Sequence, residues 1–209
     1  MAEIAHLSDG EIGAAGALLA RAFAADPILT HVLASAVRRR VALPAFFRSV
    51  LRSHLAPGEV YGAYAEGRLV GVAIWVPPAG ADCAAGHPGS AARAAFDRAL
   101  VTALFPGGAR AMRRGFAAAA ALHPTVPHWY LAFVGVAPEL QGQGIGGTLL
   151  APVLREADRC REMCYLETPF PATIPFYERL GFRAFLEACP FAGAPPVTTM
   201  LREPQARAD

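Results

Sequence analysis

Residues 128 to 148 restrict the fold more than any other stretch of the chain. His128 to Val136 (HWYLAFVGV) is dense in aromatic and β-branched side chains and reads as a strand. A helical pattern opens at Gly144, and four glycines occupy the six positions from Gly142 to Gly147. A strand, a glycine loop and a helix in this order require a sheet with helices packed on it. They also gather the backbone N–H groups of a helix start, where the helix dipole favours negative charge. Gly135 to Thr148 (GVAPELQGQGIGGT) therefore reads as a phosphate cradle. The plainer reading is a glycine-rich turn, for which so many glycines are excessive. Gly135 interrupts the strand, as glycine does at a bulge or where a ligand approaches the backbone.

The remaining elements fit one α/β domain over residues 1–209, a usual domain length. Residues 8–25 place Ile12, Ala15, Leu18, Leu19, Ala22 and Phe23 on one helical face. Asp26-Pro27 reads as an N-cap and first helical residue of a short helix to about Leu33, and a third helix covers about Leu43 to His54. Residues 59–65 and 68–76 form a hairpin about Glu66-Gly67, closed by Pro77-Pro78. Residues 79–90 read as a loop, and helices are expected over 91–104 and 108–122. After the glycine loop come a helix from Gly144 to Arg159 that Pro152 should kink or shift, a strand at 163–168, a short helix at 173–180, and strands at 182–188 and 197–202. No internal repeat is visible.

Composition removes several classes of function. Nineteen basic residues, all Arg, against 17 acidic ones give a net charge of +2, which is not the electrostatic footprint of a nucleic-acid binder. With 54% apolar and 17% charged residues the chain is too hydrophobic to be disordered. The longest apolar runs, Leu69 to Pro78 and Phe116 to Leu122, fall well short of the roughly 20 residues that span a bilayer. The first fifteen residues lack the basic and apolar regions of a signal peptide, so a cytoplasmic protein is expected, with no membrane partner. Cys83, Cys160, Cys164 and Cys189 form no CxxC pair and have no His at ligand spacing, so buried free thiols are expected rather than a metal site.

Three phosphate-binding patterns compete for the glycine loop. Gly142, Gly144 and Gly147 satisfy G-x-G-x-x-G, with Glu162 or Glu167 about 20 residues on. In a dinucleotide fold, however, the glycines follow the strand almost at once, whereas Ala137 to Gln141 intervene here. A Walker loop needs a Lys, and the chain has none. The third pattern is Gln141-x-x-Gly144-x-Gly146, preceded by Val136-Ala137-Pro138 and followed thirty residues later by Phe176-Tyr177-Glu178-Arg179-Leu180-Gly181-Phe182. In these runs the chain resembles the GNAT family of N-acetyltransferases. His128-Trp129-Tyr130-Leu131 and Leu166-Glu167-Thr168 look most like the puromycin N-acetyltransferase type, and the specific resemblance covers about residues 128–183.

The resemblance implies a GNAT-like mixed central sheet with helices on both faces, in which a β-bulge and splayed strands form the site of acetyl-CoA, a co-substrate, with no metal. Residues 1–125 would supply the N-terminal helices, the hairpin and the acceptor side, and residues 126–203 the acetyl-CoA-binding core. It assigns the pyrophosphate to Gln141, Gly142, Gln143, Gly144, Gly146 and Gly147, and the pantetheine arm to the backbone of Val134 and Val136. Tyr177 stands where the family places its acid, and a phenol near pKa 10 is suited to a departing thiolate. Thr173 stands where related enzymes often carry an Asn, so it offers the pantetheine fewer hydrogen bonds.

The reaction also needs a neutral amine. At pH 7 an alkyl amine is neutral in about one part in a thousand, a deficit of about 4 kcal/mol that a base must cover. Glu167, at the end of a strand beside the splay, is the candidate base; its plainer reading is a salt-bridged strand-end Glu. His123 and His128 are available, although a lone His is more often structural. Asp26 has a capping role that already explains it, and Arg38-Arg39-Arg40 reads as a solvated helix end. The expected activity is direct acetyl transfer to an amine on a small molecule, with a homodimer possible. A non-catalytic acyl-CoA-binding module and a dinucleotide-binding protein are the alternatives.

Overall fold

The computed structural model describes residues 2–55, 59–78, 99, 102–103, 121–190 and 193–205. Seven strands form one open mixed sheet in the order β1-β2-β3-β4-β5-β7-β6. They are β1 (Glu3–His6), β2 (Val60–Ala65), β3 (Arg68–Val76), β4 (His128–Val136), β5 (Met163–Thr168), β6 (Arg183–Ala188) and β7 (Val197–Arg202). The helices whose bounds lie within the described residues are α1 (Ile12–Ala22), α2 (Pro27–Val32), α3 (Ala36–His54), α4 (Ile145–Cys160) and α5 (Ile174–Arg179). The loop expected at 79–90 and Cys83 lie outside the described residues, as do nearly all of the helices expected at 91–104 and 108–122.

Alternation along the strands builds two cores. Val72 and Ile74 of β3 face α1 and α3, while Ala73 and Trp75 face α4. On the first face Phe133 meets Phe23, Phe46 and Phe47 at centroid distances of 5.3 to 6.1 Å. On the second, Trp129, Leu131, Cys164 and Leu166 pack with Leu149, Leu150, Val153 and Leu154 of α4 and with Tyr177 of α5. The C-terminal end of α4 is anchored by a two-pronged pair from Arg202 to Asp158, at 2.7 and 2.8 Å. Asp158 also accepts from the Gln205 N–H, and these bonds hold its carboxyl below the usual carboxylate range.

Four expectations change. The strand β1 was not anticipated, because four residues carry too little periodicity to register, yet it pairs antiparallel with β2 from Glu3↔Tyr64 to His6↔Tyr61. Helix α3 begins at Ala36, about two turns before Leu43, and runs through Pro44. Its first turns are exposed, with Val37 76% and Val41 55% accessible, so no buried face announces them. Within the Arg run, Arg39 donates to the carbonyls of Leu33 and Ala34 and so closes the end of α2. Helix α4 likewise runs from Ile145 to Cys160 through Pro152 without shifting its start. Finally, Cys164 is a buried free thiol as expected, whereas Cys160 and Cys189 are free but exposed.

Candidate active site

The backbone makes the first feature of the site. Gly142 and Gly144 hold φ of +77° and +82°, a left-handed region that costs other residues strain, and a Cβ at either would meet open space. Conformation, not crowding, therefore demands glycine there. Gly146 differs, since its Cβ would lie 3.3 Å from Phe176 of α5. Gly144 is the N-cap of the 16-residue α4, and the first helical donor satisfied by backbone is Thr148 N–H, on Gly144 O at 3.2 Å. Among the described residues, no hydrogen bond takes up the N–H groups of 142 to 147. These free donors at a helix start fit a diphosphate.

The second feature is a gap in the sheet. Strands β4 and β5 run parallel and pair only at His128↔Met163, Trp129↔Cys164 and Tyr130↔Tyr165, after which they part. β4 stays on β3, where Ile74 pairs with Phe133 and Trp75 with Leu131, so Ala132 is an extra residue. The expected bulge is present, but at Ala132 rather than Gly135. It inverts the alternation: Trp129 and Leu131 face α4, Phe133 turns to α1 and α3, and Val134 returns to α4. Gly135 has a packing reason instead, because its Cβ would lie 2.9 Å from Leu19 and 3.0 Å from Ala22 of α1.

Beyond the bulge, Ala137 N–H donates to Val70 O on β3 at 2.8 Å. Backbone alternation then turns Gly135 toward β3 and leaves the peptide groups of Val134 and Val136 facing the gap. Gln141 Nε2 already donates to Val136 O at 3.1 Å, so Gln141 ties the loop to the strand and the Val136 N–H remains. An extended polar chain laid in the gap would meet unpaired backbone, as an added strand does.

Glu167 and Tyr177 stand on opposite faces of this gap. Leu166 faces α4, so Tyr165 and Glu167 point to the other face, where they meet His123, His128 and Tyr130. His123 Nε2 lies 3.4 Å from Glu167 Oε1, and His123 Nδ1 lies 3.1 Å from His128 Nε2. The His123 ring rests against Tyr130 and Tyr165 at 4.4 and 4.6 Å. Glu167 Oε1 and Tyr165 Oη are buried without a hydrogen-bond partner among the described residues. Burial, followed by the charge of Glu167, raises the pKa of both Tyr130 and Tyr165.

Tyr177 sits in the α4-side core against Phe176 and Phe182, at 4.9 and 6.0 Å, and burial pushes its phenol up to about 12. Thr173 Oγ1 donates to Phe170 O at 2.8 Å and lies 2.7 Å from Thr168 Oγ1, so its proton is spent inside the turn between β5 and α5. Asp26 caps α2 by accepting from Leu29 N–H at 2.8 Å, and its burial raises its pKa. Glu162 accepts from Trp129 Nε1 at 2.6 Å, on the far side of β4 from the His pair. In sequence His123 and His128 are available as bases, each more often structural; the parallel register of β4 and β5 brings them to Glu167. Their five-residue spacing around Pro124 and Pro127 carries no periodic signal.

Comparison with known proteins accords with this geometry. The model of the acetyltransferase (GNAT) family matches residues 31–182. Among solved structures, the chain is similar to the histone acetyltransferase HPA2 and related acetyltransferase from Corynebacterium glutamicum, at 24% identity and a TM-score of 0.73 over 100% of this chain and 99% of that one. It is also similar to arylalkylamine N-acetyltransferase 2 from Aedes aegypti, at 12% identity and a TM-score of 0.61 over 98% and 99%. A third similar structure is the ribosomal-protein-S18-alanine N-acetyltransferase from Escherichia coli, at 16% identity and a TM-score of 0.52 over 100% and 97%.

Proposed function

The chain belongs to the acetyltransferase (GNAT) family, and we propose that, as an acetyl-CoA-dependent N-acetyltransferase, it moves the acetyl group directly onto an amine of a small molecule. The observation that carries this reading is the gap between β4 and β5, with free N–H groups of residues 142–147 at one end and the backbone of Val134 and the Val136 N–H along one side. Gln141 to Gly144, Gly146 and Gly147 would hold the diphosphate of acetyl-CoA, and Val134 and Val136 its pantetheine arm. Residues 126–203 form the acetyl-CoA side in this reading, and residues 1–125 contribute the acceptor side.

With the thioester in the gap, Glu167 approaches from one face and Tyr177 from the other. Glu167 takes the proton of the amine. The phenol of Tyr177, pushed up to about 12, stays protonated at neutral pH. Full transfer to a thiolate of pKa about 8.5 is uphill by about 5 kcal/mol. Tyr177 therefore acts chiefly by donating a hydrogen bond to the sulfur as the C–S bond breaks, and the released thiolate takes its proton from water. Direct transfer is favoured over an acyl-enzyme because Cys164 lies in the α4-side core where β5 still pairs with β4, and burial pushes its thiol up to about 12. The small-molecule half of the proposal rests on the likeness of His128 to Leu131 and Leu166 to Thr168 to the puromycin N-acetyltransferase type.

The test pairs thermal shift with acetyl-CoA and thiol release over alkylamines, arylalkylamines, polyamines and a peptide with a free N-terminus. Saturation at about 100 Kd should stabilise the fold by about 2.7 kcal/mol. Thiol release with a small amine supports the whole reading. Release with the peptide alone overturns the acceptor class, and no shift with acetyl-CoA or CoA overturns the assignment of the glycine loop.

A further inference from the structure

We propose that Arg21, in the last turn of α1, is held beside the glycine loop by Glu139 in the free protein and exchanges that carboxylate for the diphosphate when acetyl-CoA binds; this rests on the acetyltransferase reading above. The loop has a charge to account for. A diphosphate brings two negative charges, yet from Leu131 to Leu154 the sole charged side chain is Glu139, which stands two residues before Gln141 and has the wrong sign. The peptide dipoles at the start of α4 supply about half a positive charge. Gln141 adds none, and its Nε2 already donates to Val136 O at 3.1 Å. The loop alone therefore attracts an anion with its backbone and repels it with its nearest charged side chain.

The fold brings a cation to this place from far away in sequence. Arg21 Nη1 donates to Glu139 Oε1 at 3.3 Å and to Oε2 at 3.5 Å, across 118 residues. Packing sets up the approach. A Cβ at Gly135 would lie 2.9 Å from Leu19 and 3.0 Å from Ala22, so glycine there lets the last turns of α1 lie against the strand that leads into the loop. Arg21 sits between those two contacts, with its side chain turned to solvent and to Glu139. Its guanidinium thus reaches the loop from the half of the chain read as the acceptor side.

The plainer reading is a surface ion pair that serves stability. The two side chains are 58% and 60% exposed, and an exposed pair contributes little to folding. Its bonds are also longer than those of a tight charge-assisted pair. A guanidinium held this loosely can change partners, and a diphosphate offers it more charge than one carboxylate does. Glu139 then has a role of its own. Its backbone N–H and Arg21 hold its carboxyl below the usual carboxylate range, so at neutral pH it stays charged and keeps Arg21 beside the loop until an anion arrives.

The test uses the whole chain, calorimetric titration with CoA and 3′-dephospho-CoA, and carbon NMR of the Glu139 carboxyl. Arg21→Gln should raise Kd for CoA about tenfold at low salt, the lower end of what a bond to a charged group is worth, and the loss should shrink at about 0.5 M salt. 3′-Dephospho-CoA keeps the diphosphate and should lose as much. Glu139→Gln removes the competing carboxylate and should lower Kd about threefold. In the Glu139→Gln background Arg21→Gln should still cost about tenfold, because its contact is then with phosphate alone. The Glu139 carboxyl should titrate higher with CoA bound than in the free protein, since Arg21 has left it. The proposal is overturned if Arg21→Gln moves Kd less than twofold, if its loss is absent with 3′-dephospho-CoA, if the loss vanishes in the Glu139→Gln background so that Arg21 merely screens Glu139, or if CoA leaves the Glu139 titration unmoved. A wild type that binds neither ligand defeats the assignment of the glycine loop instead, and is told apart from these outcomes by the wild-type titration alone.

Discussion

The glycine loop and the Glu167 cluster, the two halves of the proposed site, are built by opposite means. The loop is thirteen consecutive residues, Val136 to Thr148, whose function resides in backbone N–H groups and two positive φ angles. The cluster draws His123, His128, Tyr130, Tyr165 and Glu167 from a loop and two strands, and it exists only through the register of β4 on β5. A contiguous site is fixed by local conformation and fails locally. A distributed site inherits its geometry from the sheet and works through protons rather than contacts. The two should therefore separate cleanly, the loop governing affinity for acetyl-CoA and the cluster governing turnover and its pH dependence.

The largest effect should come from the cluster. Glu167→Gln keeps the shape of the side chain and removes the base, so kcat with an alkylamine should fall about 10³-fold at neutral pH, within the range for a lost general base. Acetyl-CoA affinity, read by thermal shift, should be unchanged. Equal turnover by the variant would return Glu167 to the role of a structural strand-end carboxylate. Gly144→Val is the matching break in the loop. A β-branched residue at a φ of +82° pays about 1–2 kcal/mol or more and moves the helix start. The expected result is a rise of ten- to a hundredfold in Kd for acetyl-CoA, with kcat near wild type at saturation.

How much of this was legible follows the same division. Glycine density, the strand before it and the helix after it are local signals, and the strands at 128–136, 163–168 and 197–202 lie where the sequence placed them. The bulge was anticipated but assigned to Gly135, since glycine is the residue that usually reports irregularity; Ala132 carries no such mark, and its extra place appears only against β3. Gly135 was read for its backbone, whereas its reason is the approach of α1. The His pair was illegible because its partner lies 44 residues further on than His123. Parallel pairing gives no local sequence signal of which residues it will bring together.

Tyr177 bridges the two regions, since its position on α5 packs against the α4-side core while its hydroxyl is assigned to chemistry. Tyr177→Phe retains the ring contacts with Phe176 and Phe182, so the melting temperature should hold. Loss of one hydrogen bond to developing sulfur charge should cost about 10- to 30-fold in kcat, the lower part of the range expected of a bond to a charged group. The pH profile should keep its wild-type acid limb, because that limb belongs to the opposite face. A shifted acid limb would join Tyr177 to the Glu167 cluster and erase the distinction between the two faces.

Thr173 gives the smallest effect and the sharpest test of where the loop's influence ends. By position it belongs with acetyl-CoA; by its bonds it belongs to the turn, where its hydroxyl donates to Phe170 O and meets Thr168 Oγ1. A hydroxyl has one proton, and while the Phe170 carbonyl holds it Thr173 can offer the pantetheine arm only a lone pair. Thr173→Val removes the hydroxyl and keeps the branched shape. If the turn is its main role, the fold should lose about 1 kcal/mol by denaturant titration while Kd for acetyl-CoA moves less than about threefold. If Kd rises tenfold and stability holds, the proton leaves Phe170 when acetyl-CoA binds, and the binding region extends from the glycine loop across the gap to the end of β5.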